Sequence, residues 1–425
     1  MECMPAMHIK AHPPCLPATK DKPADRPVSS GQLCLPIADK GLGQNHINTA
    51  DALPERSMSS EPSDTKPTPD KAPTTTKPDR LIPKHIFLDH EGWIPSFVFL
   101  HDNVHIVSGS SDGTMSKWDC DTGLLVGEPW EEEGKSIFAL ALSPNGKTIA
   151  CGRVDGVQMW NTDGKMSKGI WMGESNYVRS VSWSPMGGYI ASGSYDGTIL
   201  IRKAGSGEVE VGPIETKQDK VWSLAYSPSG NKIASGGYNG TICIWDSSTG
   251  ELLVDPIEDL GSTVDSVVWS SDSSTLYSAS DSFARVFDSI SGAELHRFEH
   301  DSSLYSIALS PTHNALACVG CGNITRLWDT ESHQTLCQSL SGTDEDDRRD
   351  RDLTLCCVSF SRDGRYLAYS GDDQKITLWM VQDIAPELVV CALITILQGN
   401  KLHSRKFDFS SHHYLASKSV LYSHT

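Results

Sequence analysis

At 425 residues the chain has room for two or three average domains or for one large repeat domain with tails, and 38% hydrophobic residues, 11 Trp and 35 Gly suit a β-rich globular protein. A formal net charge of -18 argues against any role resting on phosphate attraction, so direct binding to nucleic acid or to an anionic membrane is not expected. The acidity is concentrated in the middle: residues 1–80 hold 10 basic and 10 acidic side chains, residues 391–425 hold 4 and 1, and the stretch between them holds 22 and 43.

Thirteen of the 23 prolines fall in the first 80 residues, in runs such as "SSEPSDTKPTPDKAPTTTKPDR". Such a segment buries too little apolar surface to offset its ordering entropy, so residues 1–81 read as a disordered Pro/Thr/Lys-rich arm, a solvated linker that could carry short docking motifs. The N-terminus has no apolar secretory core and the 12 cysteines are scattered. A cytoplasmic protein is expected, with the nucleus as second choice and secretion excluded. The longest apolar run, residues 388–397, is about half of the roughly 20 residues that a membrane helix needs.

From residue 82 the texture changes to short runs of alternating apolar and polar residues separated by turn clusters, the pattern of half-buried strands. One phrase recurs: "SVSWSPMGGYIASGSYDGTILIR", "SLAYSPSGNKIASGGYNGTICIW", "SVVWSSDSSTLYSASDSFARVF" and related copies. The closing residues are Trp118, Trp160, Arg202, Trp245, Phe287, Trp328 and Trp379, at intervals of 42, 42, 43, 42, 41 and 51. The long interval holds an inserted charged loop at residues 342–352. Within a copy, "VWSLAYSPSG", "NKIASGG", "TICIWD" and "STGELLV" read as four successive antiparallel strands joined by tight turns. Such a sheet has two apolar faces and stays dry only when neighbours cover both, which seven copies achieve by going round in a ring.

The phrase, as "IVSGSSDGTMSKWD" and "IASGGYNGTICIWD", resembles the WD-repeat family. The resemblance covers roughly residues 82–383 and implies an all-β fold, a seven-bladed β-propeller with one four-stranded blade per repeat. It also implies a stiffening tetrad of His, Ser or Thr, Asp and Trp, matched in the first repeat by His90, Ser108, Asp112 and Trp118. At the His position the other copies show Glu133, Glu174, Lys217, Leu260 or His300, and Gly322 replaces the Asp in the sixth. In this family an N-terminal strand closes the ring, and "HIFLD" at residues 85–89 is placed for that, with "ELVVCALITIL" at 387–397 as a competitor for the same edge. Residues 82–390 are therefore the propeller domain. Residues 391–425 form a tail in which "FDFSSHHYLAS" resembles a repeat beginning, so a degenerate eighth blade is the alternative.

No phosphate-binding loop, zinc pattern or nucleophile elbow is present in the sequence, so neither catalysis, metal nor cofactor is expected. Cys318 and Cys321 form a CxxC at a strand end, read as structural, and residues 344–352 read as a solvated loop because arginines interrupt the carboxylates. Trp118, Trp160, Trp183, Trp245, Trp269, Trp328 and Trp379 occupy internal strand positions and read as core. Trp93, Tyr177, Tyr195 and Tyr238 lie at the start of the innermost strand or just before the turn. The resemblance implies that these positions lie on the partner-binding top face, where rigid aromatics suit interface anchors. Arg202, in place of Trp, is expected either to pair with a carboxylate or to mark a weakened blade, and the inner strands are expected to line the channel with Ser, Val and Ala.

The expected function is a non-catalytic protein–protein scaffold or adaptor, a member of a complex, with a basic protein or peptide as partner; a ubiquitin-ligase substrate receptor or chromatin-complex subunit is a subclass of it. "LLVGEPWEEEGKSI" and "GEVEVGPIETKQDKV" also resemble the WD-repeat halves of fungal signal-sensing NTPases, which makes a ligand-sensing propeller without the NTPase domain the alternative. A propeller enzyme is the third reading.

Overall fold

The structure is a computed structural model and describes residues 81–131, 135–312, 314–323, 325–340 and 353–388. The arm to residue 80, Glu133, the loop at 342–352 and the tail at 391–425 lie outside the described residues.

Among the described residues, 27 strands and one short helix form seven antiparallel sheets, one per sequence repeat. Blade 1 holds β2 (Ser96–Phe99), β3 (His105–Gly109), β4 (Thr114–Asp119) and β5 (Trp130–Glu131). Blade 2 holds β6 (Ile137–Leu142), β7 (Thr148–Arg153), β8 (Gly156–Asn161) and β9 (Met166–Trp171). Blade 3 holds β10 (Val178–Trp183), β11 (Tyr189–Ser194), β12 (Thr198–Lys203) and β13 (Val209–Glu215). Blade 4 is β14 (Val221–Tyr226), β15 (Lys232–Gly237) and β16 (Ile242–Asp246). Blade 5 is β17 (Val264–Trp269), β18 (Thr275–Ser280), β19 (Phe283–Asp288) and β20 (Glu294–Glu299). Blade 6 is β21 (Leu304–Leu309), β22 (Ala315–Gly320), β23 (Thr325–Asp329) and β24 (Thr335–Leu340). Blade 7 is β25 (Leu355–Phe360), β26 (Tyr366–Gly371) and β27 (Lys375–Met380), completed by β1 (His85–Leu88).

The hydrophobic core sits between sheets, as the two apolar faces of each repeat require. Leu100, Val107 and Met115 of blade 1 pack with Ile137, Leu140 and Ile149 of blade 2. Ala150, Val157 and Met159 of blade 2 pack in turn with Val178, Val181 and Ile190 of blade 3. The circle is complete because Tyr366, Ala368, Ile376 and Leu378 of blade 7 meet Ile94, Phe97 and Ile106 of blade 1. Burial of each large aliphatic side chain contributes about 1.5–3 kcal/mol. The glycine of the "SG" phrase is the point of closest approach: a Cβ on Gly193 would stand 2.5 Å from Val221 Cγ1, and one on Gly152 2.8 Å from the Val178 carbonyl oxygen.

Closure follows the expectation from "HIFLD". His85 pairs with Leu378 and Leu88 with Lys375, and the alternation buries Phe87 while leaving Ile86 and Leu88 outside. Phe87 lies 5.2 Å from the Trp118 ring. The competing segment does not hold that edge at its described beginning: after β27 the chain turns into α1 (Val381–Ile384), and Val381, Ile384 and Leu388 pack on the blade 6 and 7 core.

One expectation needs correction. The outer strand of blade 4, predicted from "STGELLV", is reduced to two isolated bridges, Trp245 with Leu252 and Ile242 with Ile257. Pro256 stands between them and has no N–H to give to the ladder, so pairing restarts only at Ile257, whose N–H donates to the Ile242 carbonyl at 2.9 Å. Pro129 and Pro213 occupy similar places before Trp130 and Ile214; β5 has two residues, and β13 pairs with β12 only through register shifts.

Among the tryptophans read as core, Trp118, Trp160, Trp245, Trp269 and Trp379 are buried, whereas Trp183 and Trp328 keep half-exposed edges. Trp183 and Trp269 stitch blades together, their indole N–H groups donating to the Ala141 and Ala225 carbonyls of the preceding blade at 3.0 Å.

Candidate binding face at the channel mouth

The innermost strand of six blades carries the same irregularity. In β6, β10, β14, β17, β21 and β25 the pairing skips one residue near the strand start: Phe138, Arg179, Trp222, Asp265, Tyr305 and Cys356. A β-bulge turns the extra side chain out of the ladder. Six bulges at one level, repeated round the ring, set these six side chains, four of them large, about the channel mouth. The serines serve the neighbouring blade: Ser96 Oγ accepts from the Leu140 N–H at 3.0 Å, Ser223 Oγ donates to the Val264 carbonyl at 3.0 Å and Ser306 Oγ accepts from the Val358 N–H at 3.2 Å.

Four further residues stand on the face of the Asp-Gly and Asn-Gly turns. The Tyr195 N–H donates to the Tyr177 carbonyl at 2.9 Å, Tyr238 N–H to Lys220 at 3.0 Å, and Ser111 N–H to Trp93 at 3.0 Å. Each turn is thus tied to the entry of its blade. These anchors bring the aromatic rings into one continuous run. Phe138 and Tyr177 are 5.3 Å apart, Tyr177 and Tyr195 5.6 Å, Tyr195 and Trp222 5.1 Å, and Trp222 and Tyr238 5.8 Å. Trp93 joins through a cation, since the Arg179 guanidinium lies 5.4 Å from the Trp93 ring and 5.1 Å from Trp222. Lys220 Nζ bridges Tyr195 and Tyr238 at 4.9 and 4.6 Å. Phe138 is buried, Tyr177, Tyr195 and Trp222 are half-buried, and Tyr238 is 50% exposed.

The electrostatics of the crown favour protonated groups. Burial pushes the Asp265 carboxyl well above the usual carboxylate range, against the opposing pull of the Arg179 charge and of the hydrogen bond with Trp222. Burial likewise raises the Cys356 thiol and the Tyr305 phenol, each to about 12. Burial also raises the Tyr195 phenol, against the Arg179 charge.

Beside the crown, blade 1 holds the polar set built on His90. His90 Nε2 lies 2.7 Å from Ser108 Oγ, which also accepts from the Trp118 indole at 2.9 Å. His90 Nδ1 is 3.0 Å from Thr114 Oγ1 and 3.4 Å from Asp112 Oδ2. Burial lowers the His90 pKa despite the Asp112 charge. Burial would raise Asp112, but donors led by the Thr114 hydroxyl and N–H hold it at about 2. Asp112 also lines, with Asp89, Glu91 and Glu131, a cavity of about 420 Å³ at the rim of this blade.

The sequence profile described as WD domain, G-beta repeat matches residues 82–119, 167–202, 211–246, 257–288, 292–329 and 350–380. The chain belongs to the WD-repeat family. It is 27% identical over 121 residues to "Small ribosomal subunit protein RACK1y" of Oryza sativa subsp. japonica, covering 27% of this chain and 35% of the relative. It is 30% identical over 144 residues to "Ribosome biogenesis protein WDR12 homolog" of Nematostella vectensis, covering 33% and 34%. It is 28% identical over 144 residues to "Guanine nucleotide-binding protein subunit beta" of Nicotiana tabacum, covering 32% and 36%. The matched stretches thus span about a third of each of these three relatives.

Away from blade 1, the WD repeats of this chain solve the same internal problem differently. In blade 3, Glu174 replaces His and Arg202 replaces Trp: Ser192 Oγ donates to Glu174 Oε1 at 2.6 Å and Arg202 Nη2 to Oε2 at 2.8 Å. In blade 4 the His position is filled by Gln218, which corrects the expectation of Lys217; Gln218 Oε1 accepts from Ser235 at 2.7 Å and Ser235 Oγ accepts from Trp245 at 2.8 Å. Lys217 sits one residue earlier in a positive-φ turn and is exposed. In blade 6, with Cys318 in place of Ser, Trp328 donates directly to His300 Nε2 at 3.1 Å. In blade 5, Leu260 and Phe287 are apolar, and the buried Ser278 hydroxyl between them has no hydrogen-bond partner among the described residues.

Of the CxxC, Cys318 is a buried free thiol raised by its burial, whereas Cys321 is buried and disulfide-bonded. Among the described residues no group of three or more His, Cys, Asp or Glu is placed to hold a metal ion, and no helix is long and apolar enough to cross a membrane.

Sequence reasoning singled out Trp93, Tyr177, Tyr195 and Tyr238 but missed Phe138, Arg179, Lys220, Trp222 and Asp265. The signal lay in plain view: one position after the first apolar residue of each inner strand, the repeats stop agreeing with one another.

Proposed function

We propose that this WD-repeat propeller is a non-catalytic protein-interaction scaffold that docks a partner on its top face, through Trp93, Tyr177, Tyr195 and Tyr238. The observation that carries the reading is the continuous aromatic run from Phe138 to Tyr238, ending in a half-exposed ring. Rigid aromatics bury much area with few rotors to freeze, the property of interface anchors. The non-catalytic reading is supported by the crown itself, where burial favours Cys356 as thiol and Tyr305 as phenol, so neither supplies an anionic nucleophile. His90, Ser108, Asp112 and Trp118 are read as a stiffening set for blade 1, each bond contributing about 0.5–1.5 kcal/mol.

The partner is a protein or peptide, and the net charge of -18 favours one that is basic as a whole, because long-range attraction raises encounter rates. Membership of a complex is supported by two relatives whose names make them subunits, one ribosomal and one of a guanine nucleotide-binding protein. A cytoplasmic or nuclear location goes with this reading.

Affinity purification of the full chain followed by mass spectrometry, repeated with Tyr195→Ala and Tyr238→Ala, tests it. Loss of specific partners from both variants is expected; an unaltered set of partners overturns the top-face assignment.

A further inference from the structure

The charge of the crown is opposite to that of the chain. In a molecule of net charge -18, Arg179 and Lys220 have no ion-pair partner within 4 Å among the described residues. Arg202, Lys203, Arg285 and Arg326, by contrast, each hold a carboxylate. Arg179 and Lys220 are both half-buried, and the Arg179 Nε has no hydrogen-bond partner among the described residues. Each cation lies over two rings, so aromatic faces that would otherwise receive an incoming ammonium or guanidinium are already occupied by the chain's own positive charge. Cations held against rings are also positioned before a ligand arrives, which removes part of the ordering cost of binding.

We infer that the crown is an anchor for a carboxylate: a partner segment sets an Asp or Glu side chain, or its own C-terminal carboxylate, between Arg179 and Lys220 while a neighbouring apolar residue covers Tyr238. This rests on the top-face reading and specifies its anchor. It is compatible with a partner that is basic elsewhere, since long-range attraction and the local contact act at different distances. Asp265 is the carboxyl that could compete. It makes no ion pair with Arg179 within 4 Å, so the guanidinium is not capped by direct contact with it.

The test applies the full chain to an array of immobilised peptides that share an aromatic residue and differ beside it, carrying Asp, Glu, Lys, Arg or Gln, each with a free or amidated C-terminus. Retention is expected on the Asp and Glu peptides, or on free C-termini alone, and amidation tells these two sources apart. Arg179→Met and Lys220→Met are each expected to lower retention about tenfold or more, while Lys203→Met, at a cation already paired with Glu208 and Glu210 on blade 3, leaves it in place. Lys220 stands on the rim and carries the test should Arg179→Met fail to fold, which thermal melting shows. Preference for Lys or Arg peptides, equal retention of Gln peptides with amidated ends, or an equal loss of binding in Lys203→Met overturns the carboxylate anchor and leaves the top-face reading standing. If no peptide is retained while Tyr195→Ala still loses partners in affinity purification, the anchor alone falls. If neither responds, both fall.

Discussion

Arg202 and Glu174 form an ion pair 2.8 Å long with both side chains almost wholly enclosed, at the positions that Trp118 and His90 fill in blade 1. The two replacements answer one another: a carboxylate in place of imidazole still accepts from the serine between, and a guanidinium in place of indole still donates. Blade 3 is thus held by a rewired polar set.

A buried pair is costly to break singly because the survivor keeps its desolvation penalty. Arg202→Ala and Glu174→Ala are each expected to lower stability by about 3–5 kcal/mol, read as a fall in the urea midpoint. The double variant Glu174→His with Arg202→Trp is expected to recover most of that loss. A double variant no more stable than either single one would show that the pair is not exchangeable as a unit.

His300 sets a pH dependence. Burial, helped by the Arg326 charge, lowers its pKa to about 4, and its Nε2 accepts from Trp328 only when unprotonated. The unfolded chain takes up that proton near pH 6.5 while the folded chain resists, so stability falls as the pH drops from 6.5 towards 4. The loss is about 3 kcal/mol across that window. Urea denaturation at successive pH values should show this slope reduced in His300→Gln; an unchanged slope would rule His300 out as its source.

Ser278 offers a gain. Its hydroxyl is buried between Leu260 and Phe287 with no hydrogen-bond partner among the described residues, and removing an unsatisfied buried group recovers part of its desolvation cost. Ser278→Ala is expected to raise stability by about 1 kcal/mol, whereas Ser108→Ala, which strips His90 and Trp118 of their shared oxygen, should lower it by a similar amount or more. Equal effects of the two substitutions would contradict this.

Tyr238, 50% exposed at the end of the aromatic run, should separate binding from folding. Tyr238→Ala is expected to change stability by no more than about 0.5–1 kcal/mol while losing partners, and differential scanning calorimetry beside affinity purification checks both halves.

The ring of blades was legible because the repeats agree: the "SG" phrase, the turns and the closing aromatic fix each sheet, and "HIFLD" has the alternation that one more strand needs. Trp93, Tyr177, Tyr195 and Tyr238 could be placed because each has a fixed offset from a turn or strand start. Arg179, Trp222 and Asp265 were passed over, since a strict alternation has no place for an extra residue and the bulge is marked only by disagreement among the repeats at that position. Gln218 escaped for a related reason: a one-residue difference in loop length moved the His position past Lys217. The missing outer strand of blade 4 was in principle readable from Pro256, a residue without the donor that a ladder needs.

The pairing of residues 85–88 with residues 375–378 also sets an order of events during synthesis. The segment that seals the circle is made before every blade yet finds its seat only after the final repeat has emerged, so the nascent chain carries Phe87 unburied through the production of all six intervening sheets. A product halted short of Leu378 stays an open arc with a bare strand edge, which makes early termination a route to self-association rather than to a smaller working protein.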